Sequence, residues 1–221
     1  MIDWKKYFDH IFCIHYISKD RIDRHNKLID ELIRVGIYNS GIFSFIYDED
    51  SLLTNTICNN FPVIFCENAQ QYAKRVTINH YKALSISNIL NYKHILILED
   101  DIVFLKDLQF IENMLIDSQN KDFDICKYDS ITYTDNDLRV DVLATCYSVR
   151  NEGIKKLIKN IEHAPTYVID MYFANKNNYI WILGNNKYDV SFPQTLSIYN
   201  VPYNIAMQRE NKNNNIADFN I

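Results

Sequence analysis

The stretch HILILEDDIVF, residues 94 to 104, places four consecutive aliphatic residues directly before three consecutive acids. The aliphatic residues 95–98 favour burial, and a short apolar run of this kind predicts a buried strand. Glu99, Asp100 and Asp101 repel one another and need water, a cation or hydrogen-bond donors around them. We therefore predict an interior strand whose acidic end is compensated by a charged or hydrogen-bonding partner.

Strand and helix patterns alternate on both sides of this stretch. Strands are predicted at 11–17, 41–50, 61–67, 123–133, 141–149 and 179–184, and helices at 21–36, 68–90, 104–117 and 151–161. Such alternation predicts an α/β fold, with a mixed, mostly parallel sheet flanked by helices on both faces. Ligands bind such sheets beyond the carboxyl ends of the strands, which is where the three acids should lie.

Length and composition predict one globular domain. The chain has 221 residues, of which 48% are hydrophobic and 14% aromatic, and this excludes disordered and fibrous classes. We expect a single domain over residues 1–204 and a polar, flexible tail over 205–221. The five cysteines are odd in number and widely spaced, so we expect reduced thiols in the core rather than a disulfide framework.

Charge and patterning exclude several partners and compartments. The net charge of −5 gives no bulk support for nucleic-acid binding, although a local basic patch could contact anionic lipid. The first ten residues lack a signal-peptide pattern, and no apolar stretch approaches the ~18 residues that a bilayer requires. We expect a cytoplasmic protein that makes peripheral contact with the inner face of the membrane. Only four glycines occur, which excludes a glycine-rich phosphate loop.

The three acids are candidate metal ligands. If the strand continues through them, alternation points Glu99 and Asp101 to one face and Asp100 to the other. Converging carboxylates suit Mg²⁺ or Mn²⁺, which completes its coordination with substrate phosphates and water. Alternatively, the acids cap the next helix, where a negative charge contributes roughly 0.3–1 kcal/mol. A cap needs one acid and this site has three, which favours the metal.

Several segments resemble one known family in the expected order. ILILEDDIVF, IFCIHYISKDRIDRHNKL, NHYKAL, ATCYSVRNEGIKKLI, TYVIDMYF and FPQTLSIYN, spread over roughly residues 10–200, resemble the family 25 glycosyltransferases of lipooligosaccharide biosynthesis. The chain departs from the family at Asn79, which precedes His80 where a serine is common. The resemblance implies a GT-A fold, a UDP-sugar donor, usually UDP-galactose, and inverting transfer to a saccharide or lipid-linked saccharide.

In this resemblance, residues 99–101 occupy the place of the DxD-like motif. Asp101 is then the favoured metal ligand, and Glu99 faces ribose, water or the ion. His15 and Tyr16 end the first strand, where they contact a nucleobase or diphosphate or form a packed structural pair. Arg21, Arg24 and His80 each have two possible roles. The two arginines bind diphosphate or are solvated helix charges, and His80 is a donor contact or a hydrogen-bonded core residue.

Inverting transfer requires a base beside the acceptor hydroxyl. Asp170 follows an apolar approach and matches the family's aspartate, although it could instead cap a following helix. Asp129 in KYDSITY is the second candidate. Two other functions stay open: an inactive sugar-nucleotide or glycan-binding protein, and a metal-dependent phosphohydrolase.

Overall fold

The computed structural model describes residues 1–15, 22–47, 70–129, 131–135, 138–142, 144–163, 169–173, 178–183 and 186–208. The predicted strand at 61–67 lies outside these ranges. Tyr16 and Arg21, two of the candidate donor contacts, also lie outside the described residues.

The described elements follow the predicted alternation. The α-helices are α1 (Ile22–Arg34), α2 (Gln70–Ile89), α3 (Leu108–Gln119) and α4 (Asn151–His163). The strands are β1 (His10–His15), β2 (Phe43–Tyr47), β3 (His94–Glu99), β4 (Ile102–Phe104), β5 (Ile125–Lys127), β6 (Ile131–Asp135), β7 (Leu138–Val142), β8 (Cys146–Arg150), β9 (Asn178–Leu183), β10 (Asn186–Ser191), β11 (Ile198–Asn200) and β12 (Ala206–Gln208). Short 3₁₀ helices lie at Trp4–Lys6 and Ile169–Tyr172.

Six of these strands form the central sheet, in the order β11-β5-β8-β3-β1-β2. The pairs β1–β2, β1–β3 and β11–β5 are parallel, whereas β8 runs antiparallel to both of its neighbours. Five strands of the sheet therefore share one direction. The predicted α/β class is confirmed, as is the mixed, mostly parallel sheet.

Strand β3 lies between β1 and β8, so the prediction of an interior strand is confirmed. Its side chains alternate between two cores. Leu96 and Leu98 pack in the core beneath α1 and α3, and Ile95 and Ile97 pack in the core beneath α2 and α4. All four are almost fully buried. Burial on both faces contributes roughly 1.5–3 kcal/mol for each such side chain, which explains why a continuous aliphatic run was needed here.

Two predicted boundaries are wrong. Phe104 was predicted to lie on a helical stripe but lies in β4, and α3 begins only after Asp107, whose carboxylate accepts a hydrogen bond from the amide of Phe110 at 3.1 Å. The predicted tail also begins too early, because Ile205 and Ala206 are buried and β12 pairs antiparallel with β4. The apolar side chains of residues 205–207 drive this pairing. Residues 209–221 lie outside the described ranges.

The end of helix α1 and the state of the cysteines both match the predictions. Helix α1 stops as predicted before Gly36, whose φ of 81° lies in the left-handed region that favours glycine. Cys13, Cys126 and Cys146 are buried free thiols, as expected. No α-helix within the described ranges combines the length and apolar character needed to cross a bilayer.

Candidate functional site

Polar side chains gather at the carboxyl edge of the parallel strands. His15 ends β1, Glu99 ends β3 and Lys127 ends β5. Strand β8 runs the other way, so Thr145, just before its first residue, reaches the same edge, and its carbonyl accepts the amide hydrogen of Glu99 at 2.9 Å. This edge is where open α/β sheets bind ligands, and it holds most of the described candidate residues.

Arg24, near the start of α1, joins two of the three acids. Its Nη2 lies 2.7 Å from Oδ1 of Asp100 and 3.0 Å from Oδ2 of Asp101. Asp100 points to the α1 face and Glu99 to the α2 face, as predicted. The prediction that Asp101 alternates with Asp100 is wrong, because both contact Arg24; β3 ends at Glu99, and strand alternation does not extend into the following turn. The partner expected for the acidic turn is therefore a guanidinium, and Arg24 is not a solvated helix charge.

His15 holds the same carboxylate from the other side. Its Nδ1 lies 3.0 Å from Oδ2 of Asp100, and its Nε2 lies 2.9 Å from Nδ1 of His25. The two imidazole rings are stacked, with 4.9 Å between their centroids. Asp100 is 5% exposed, so these contacts satisfy a carboxylate that is largely withdrawn from water. A chain of hydrogen bonds thus links Asp100 through His15 to His25 on α1.

His80 holds the third acid, Glu99, from helix α2. Its Nε2 lies 3.1 Å from Oε1 of Glu99, and its Nδ1 lies 2.7 Å from the hydroxyl of Tyr147. The imidazole is fully buried, and burial lowers the pKa of His80 to about 3. This placement matches the alternative of a hydrogen-bonded core histidine, which acts on the site through Glu99.

The acidic turn carries more negative charge than its surroundings stabilise. Burial, reinforced by the charge of Asp100, raises the pKa of Glu99 to about 7, although Arg24 opposes the rise. Burial and the charge of Glu99 likewise raise the pKa of Asp101 to about 7. In addition, Oδ1 of Asp101 is buried and has no hydrogen-bond partner among the described residues. A bound cation would relieve both conditions.

The residues present fit a divalent ion that takes only one or two of its ligands from the protein. Within the described ranges, no three histidine, cysteine or acidic side chains are arranged as a ready metal cage. Mg²⁺ and Mn²⁺ commonly take one or two protein carboxylates and complete their coordination with water and substrate phosphates. The buried free oxygen of Asp101, with Glu99 beside it, matches that smaller requirement.

A second group of charged residues lies beyond Glu99, around the end of β5. Asp129 is 1% exposed, and its carboxylate is buried beside the hydroxyl of Thr145. Burial raises the pKa of Asp129 well above its usual range, against the opposing charge of Lys127. Glu99 and Asp170 add to this rise. The two candidate bases, Asp129 and Asp170, are therefore close enough to interact electrostatically.

Asp170 lies inside the 3₁₀ helix Ile169–Tyr172, so the alternative that it caps the start of a following helix is wrong. Its backbone carbonyl accepts the amide hydrogen of Phe173 at 3.1 Å. Asp170 is partly exposed, unlike Asp129. Of the two candidate bases, Asp170 is the less buried, although its Oδ1 is itself buried.

An aromatic groove of about 720 Å³ opens between α1 and β2. Its aromatic lining consists of Tyr38, Phe43, Phe45, Tyr47 and His25, and its polar lining includes Asn26, Asp30 and Ser44. Ring centroids of Phe45 lie 4.9 Å from Phe43 and 5.4 Å from Tyr47. His25 lines the groove and also bonds His15, so the groove adjoins the acidic turn.

Sequence reasoning missed three members of the site. Lys127 and Tyr147 lie in strands whose sequence is typical of ordinary core, and His25 lies in a helix with many polar residues. A lysine at the end of a buried strand is an unusual residue that could have indicated Lys127. Nothing in the sequence indicated that His25 would meet His15, because this contact depends on the angle at which α1 packs.

Comparison with known proteins finds similar solved structures but no matching family. No family model matches the chain, and no curated protein matches it at a significant level. Protein A197 from STIV is 14% identical over 66% of each chain, with a TM-score of 0.35. A glycosyltransferase involved in glycosylation of the major capsid of PBCV-1 is 12% identical, covering 90% of this chain and 93% of that chain, with a TM-score of 0.46. A putative glucose-1-phosphate thymidylyltransferase from Bacillus anthracis, solved with sucrose, is 9% identical over 72% and 78% of the two chains, with a TM-score of 0.36. These similarities concern the fold alone.

Proposed function

We propose that this chain is a GT-A glycosyltransferase resembling family 25, which moves a hexose, with galactose favoured, from a UDP-sugar to a saccharide acceptor. Lipooligosaccharide or a similar cell-surface glycan is the proposed product, and inversion at the anomeric carbon is the proposed outcome. The observation that carries the proposal is the acidic turn after β3, bound by Arg24 and His15 and adjoining an aromatic groove.

The groove and Arg24 together suit a nucleoside diphosphate. Aromatic faces stack on a planar base, and such stacking typically contributes about 1–3 kcal/mol per base. Arg24 and His25 are neighbours on α1, and one meets the acidic turn while the other lines the groove. A donor whose base lies on Phe45 and Tyr47 would bring its diphosphate toward the guanidinium, which binds phosphate oxygens in a bidentate manner.

Asp101 and Glu99 are the residues that would hold Mg²⁺ or Mn²⁺. When bound, the ion supplies positive charge that stabilises the departing nucleotide. His80 fixes the carboxylate of Glu99, and His15 and Arg24 fix that of Asp100. Asp101 keeps one buried oxygen without a partner in the described part of the chain, and this is the atom we assign to the ion.

Asp170 is the proposed base, and its smaller burial supports this choice over Asp129. Asp129 is 1% exposed, and burial raises its pKa above the usual range, which makes its carboxyl group a weaker candidate for contact with an acceptor. Asp170 would accept the proton of the acceptor hydroxyl as that oxygen bonds to the anomeric carbon and the UDP leaves with the bonding electrons.

A donor screen by UDP release tests the proposal. The purified chain is given several UDP-sugars with Mn²⁺ and saccharide or lipid-linked saccharide acceptors, with Asp101→Asn as the matched variant. We expect acceptor-dependent release with one UDP-hexose and its loss in the variant. Metal-dependent cleavage of phosphate esters without an acceptor would favour a phosphohydrolase. UDP binding with no turnover for any donor would favour an inactive binding protein. A vesicle-binding assay with anionic lipid tests the peripheral membrane contact that we expect from the sequence.

A further inference from the structure

Lys127 is a fully buried lysine at the edge of the candidate site. It is the last residue of β5 and is 0% exposed, although its strand neighbours Ile125 and Cys126 are buried apolar residues. Withdrawing an ammonium group from water is costly unless charges or aromatic faces compensate it. An aliphatic residue would satisfy the core at this position, so the packing of β5 alone does not explain the lysine.

The ammonium of Lys127 faces the segment that carries Asp170. Its Nζ lies 5.4 Å from the centroid of the Phe173 ring, a cation–π distance. Phe173 closes the 3₁₀ helix Ile169–Tyr172, because its amide donates to the carbonyl of Asp170 at 3.1 Å. The same ring packs edge-on against Tyr147, at 4.7 Å between centroids. Phe173 is thus held between a buried cation and a buried aromatic ring.

The charge balance around this contact also favours an ammonium at this position. Three carboxyl groups from three elements act on the region: Asp129 after β5, Glu99 at the end of β3 and Asp170 in the 3₁₀ helix. Lys127 opposes their mutual repulsion, since its charge lowers the pKa of Asp129 against the effect of burial. A neutral residue of similar length would keep the volume and remove this compensation.

We propose that Lys127 is a positioning residue, whose ammonium holds Phe173 and thereby fixes the turn that presents Asp170 to the acceptor. The inference rests on the proposed function only in naming Asp170 as the base. The anchoring of the turn is a structural statement that stands without any catalytic activity.

Two substitutions at Lys127 separate charge from volume. Lys127→Met removes the ammonium and keeps an unbranched chain, and Lys127→Arg keeps a cation that can also lie over an aromatic ring. We expect Lys127→Met to lower kcat by about tenfold with UDP affinity unchanged, and Lys127→Arg to restore most of the rate. Phe173→Leu should lower kcat similarly, and the double variant should lose less than the two separate effects multiplied.

A second cation–π pair provides the matched control. Arg150 lies over the ring of Phe123 at 4.0 Å, at the other end of β8 from Thr145. Arg150→Met should lower the unfolding temperature while leaving kcat unchanged. Backbone hydrogen exchange at Phe173 gives a readout that needs no turnover: Lys127→Met should accelerate it, and Arg150→Met should not.

The outcomes are separable. If the wild-type chain transfers sugar and Lys127→Met keeps both its kcat and its exchange at Phe173, the positioning role is overturned. If Lys127→Met and Arg150→Met lower kcat equally, the effect is general destabilisation and the role is likewise overturned. If no donor is turned over, the proposed function fails, and exchange at Phe173 alone decides whether Lys127 anchors the turn.

Discussion

Nε2 of His80 lies 3.1 Å from Oε1 of Glu99, and this contact links a buried helix to the acidic turn. Because burial lowers the pKa of His80 to about 3, the ring is neutral and carries one proton. A consistent arrangement has Nε2–H donating to Glu99 while the hydroxyl of Tyr147 donates to Nδ1. His80 therefore orients Glu99 without exposing itself to ligand.

Two amide substitutions at His80 test this orientation. His80→Gln places an amide near the Nε2 position and can keep the bond to Glu99, whereas His80→Asn places one near Nδ1 and can keep only the bond to Tyr147. Both variants should lose about 1–3 kcal/mol of stability. In calorimetric titrations, we expect His80→Asn to weaken Mn²⁺-dependent UDP binding by roughly 10–100-fold and His80→Gln to weaken it less. Equal affinities in the two variants would contradict the assigned role of Nε2.

The raised pKa values of Glu99 and Asp101 predict a pH-dependent stability. Their folded-state pKa of about 7 exceeds the ordinary value of either group. The folded state therefore binds protons more tightly than the unfolded state, and stability is fully present below the unfolded pKa and is lost as pH rises through about 7. His80 and His94, whose pKa values burial lowers, change stability in the opposite sense over part of this range. We therefore expect the metal-free wild-type chain to lose on the order of 1 kcal/mol relative to Asp101→Asn between about pH 5 and pH 8, measured by urea unfolding.

The same titration distinguishes the acids from other groups. Asp101→Asn cannot ionise at this position, so the loss should be smaller in that variant. Mn²⁺ should stabilise the wild-type chain more at the higher pH, since protons compete with the ion at the lower one. A stability difference between the wild type and Asp101→Asn that does not change with pH over this window would refute the raised pKa of Asp101.

The fold was predictable mainly because β3 is buried on both faces. Four consecutive aliphatic residues indicate that burial directly, and the helix stripes around Leu28 and Leu115 indicate the helix layer on one face of the sheet. The end of β12 was missed because Ile205 and Ala206 gain burial only by pairing with β4. That pairing joins segments about a hundred residues apart, and no local pattern records it.

The site was predictable in its acids and not in their partners. Glu99 to Asp101 stand out because charge follows an apolar run. That Arg24 would bridge Asp100 and Asp101 depends on how α1 approaches a turn 76 residues further along the chain. The orientation of Asp101 was predicted wrongly, because strand alternation was extended into the turn that follows β3. Side-chain partners of this kind follow from tertiary packing rather than from spacing.

The aromatic groove predicts a measurable preference for the nucleoside. Phe45→Leu keeps an apolar side chain and removes the flat ring, so uridine and UDP should each bind about tenfold more weakly. Tyr203→Leu is the matched control, because Tyr203 is 65% exposed and does not line the groove. Isothermal titration calorimetry with uridine, which has no diphosphate, measures the contribution of the nucleoside to binding. If Phe45→Leu binds uridine as tightly as the wild type, the nucleoside does not bind in this groove.

The two candidate bases should separate in their effect on turnover. Asp170→Asn removes the carboxylate that we assign to proton transfer, so kcat should fall by about 10²–10⁴-fold while UDP affinity stays nearly unchanged. Asp129 is almost fully buried, and burial raises its pKa well above the usual range. Asp129→Asn keeps the shape of a side chain that we do not assign to proton transfer, so kcat should change by less than about tenfold.

The measurement is initial rates together with UDP affinity for both variants at neutral pH, and again at about pH 9, where a base with a strongly raised pKa gains activity. If Asp129→Asn loses the larger part of kcat, and the wild-type rate climbs steeply toward that alkaline pH, then Asp129 is the base and Asp170 is not. If Asp170→Asn loses UDP affinity in parallel with its rate, Asp170 holds the donor rather than the acceptor proton. The assignment is supported if Asp170→Asn, and not Asp129→Asn, lowers kcat while UDP affinity stays unchanged. A base acts on the acceptor only as the bonds change, so its loss affects the rate and not donor binding.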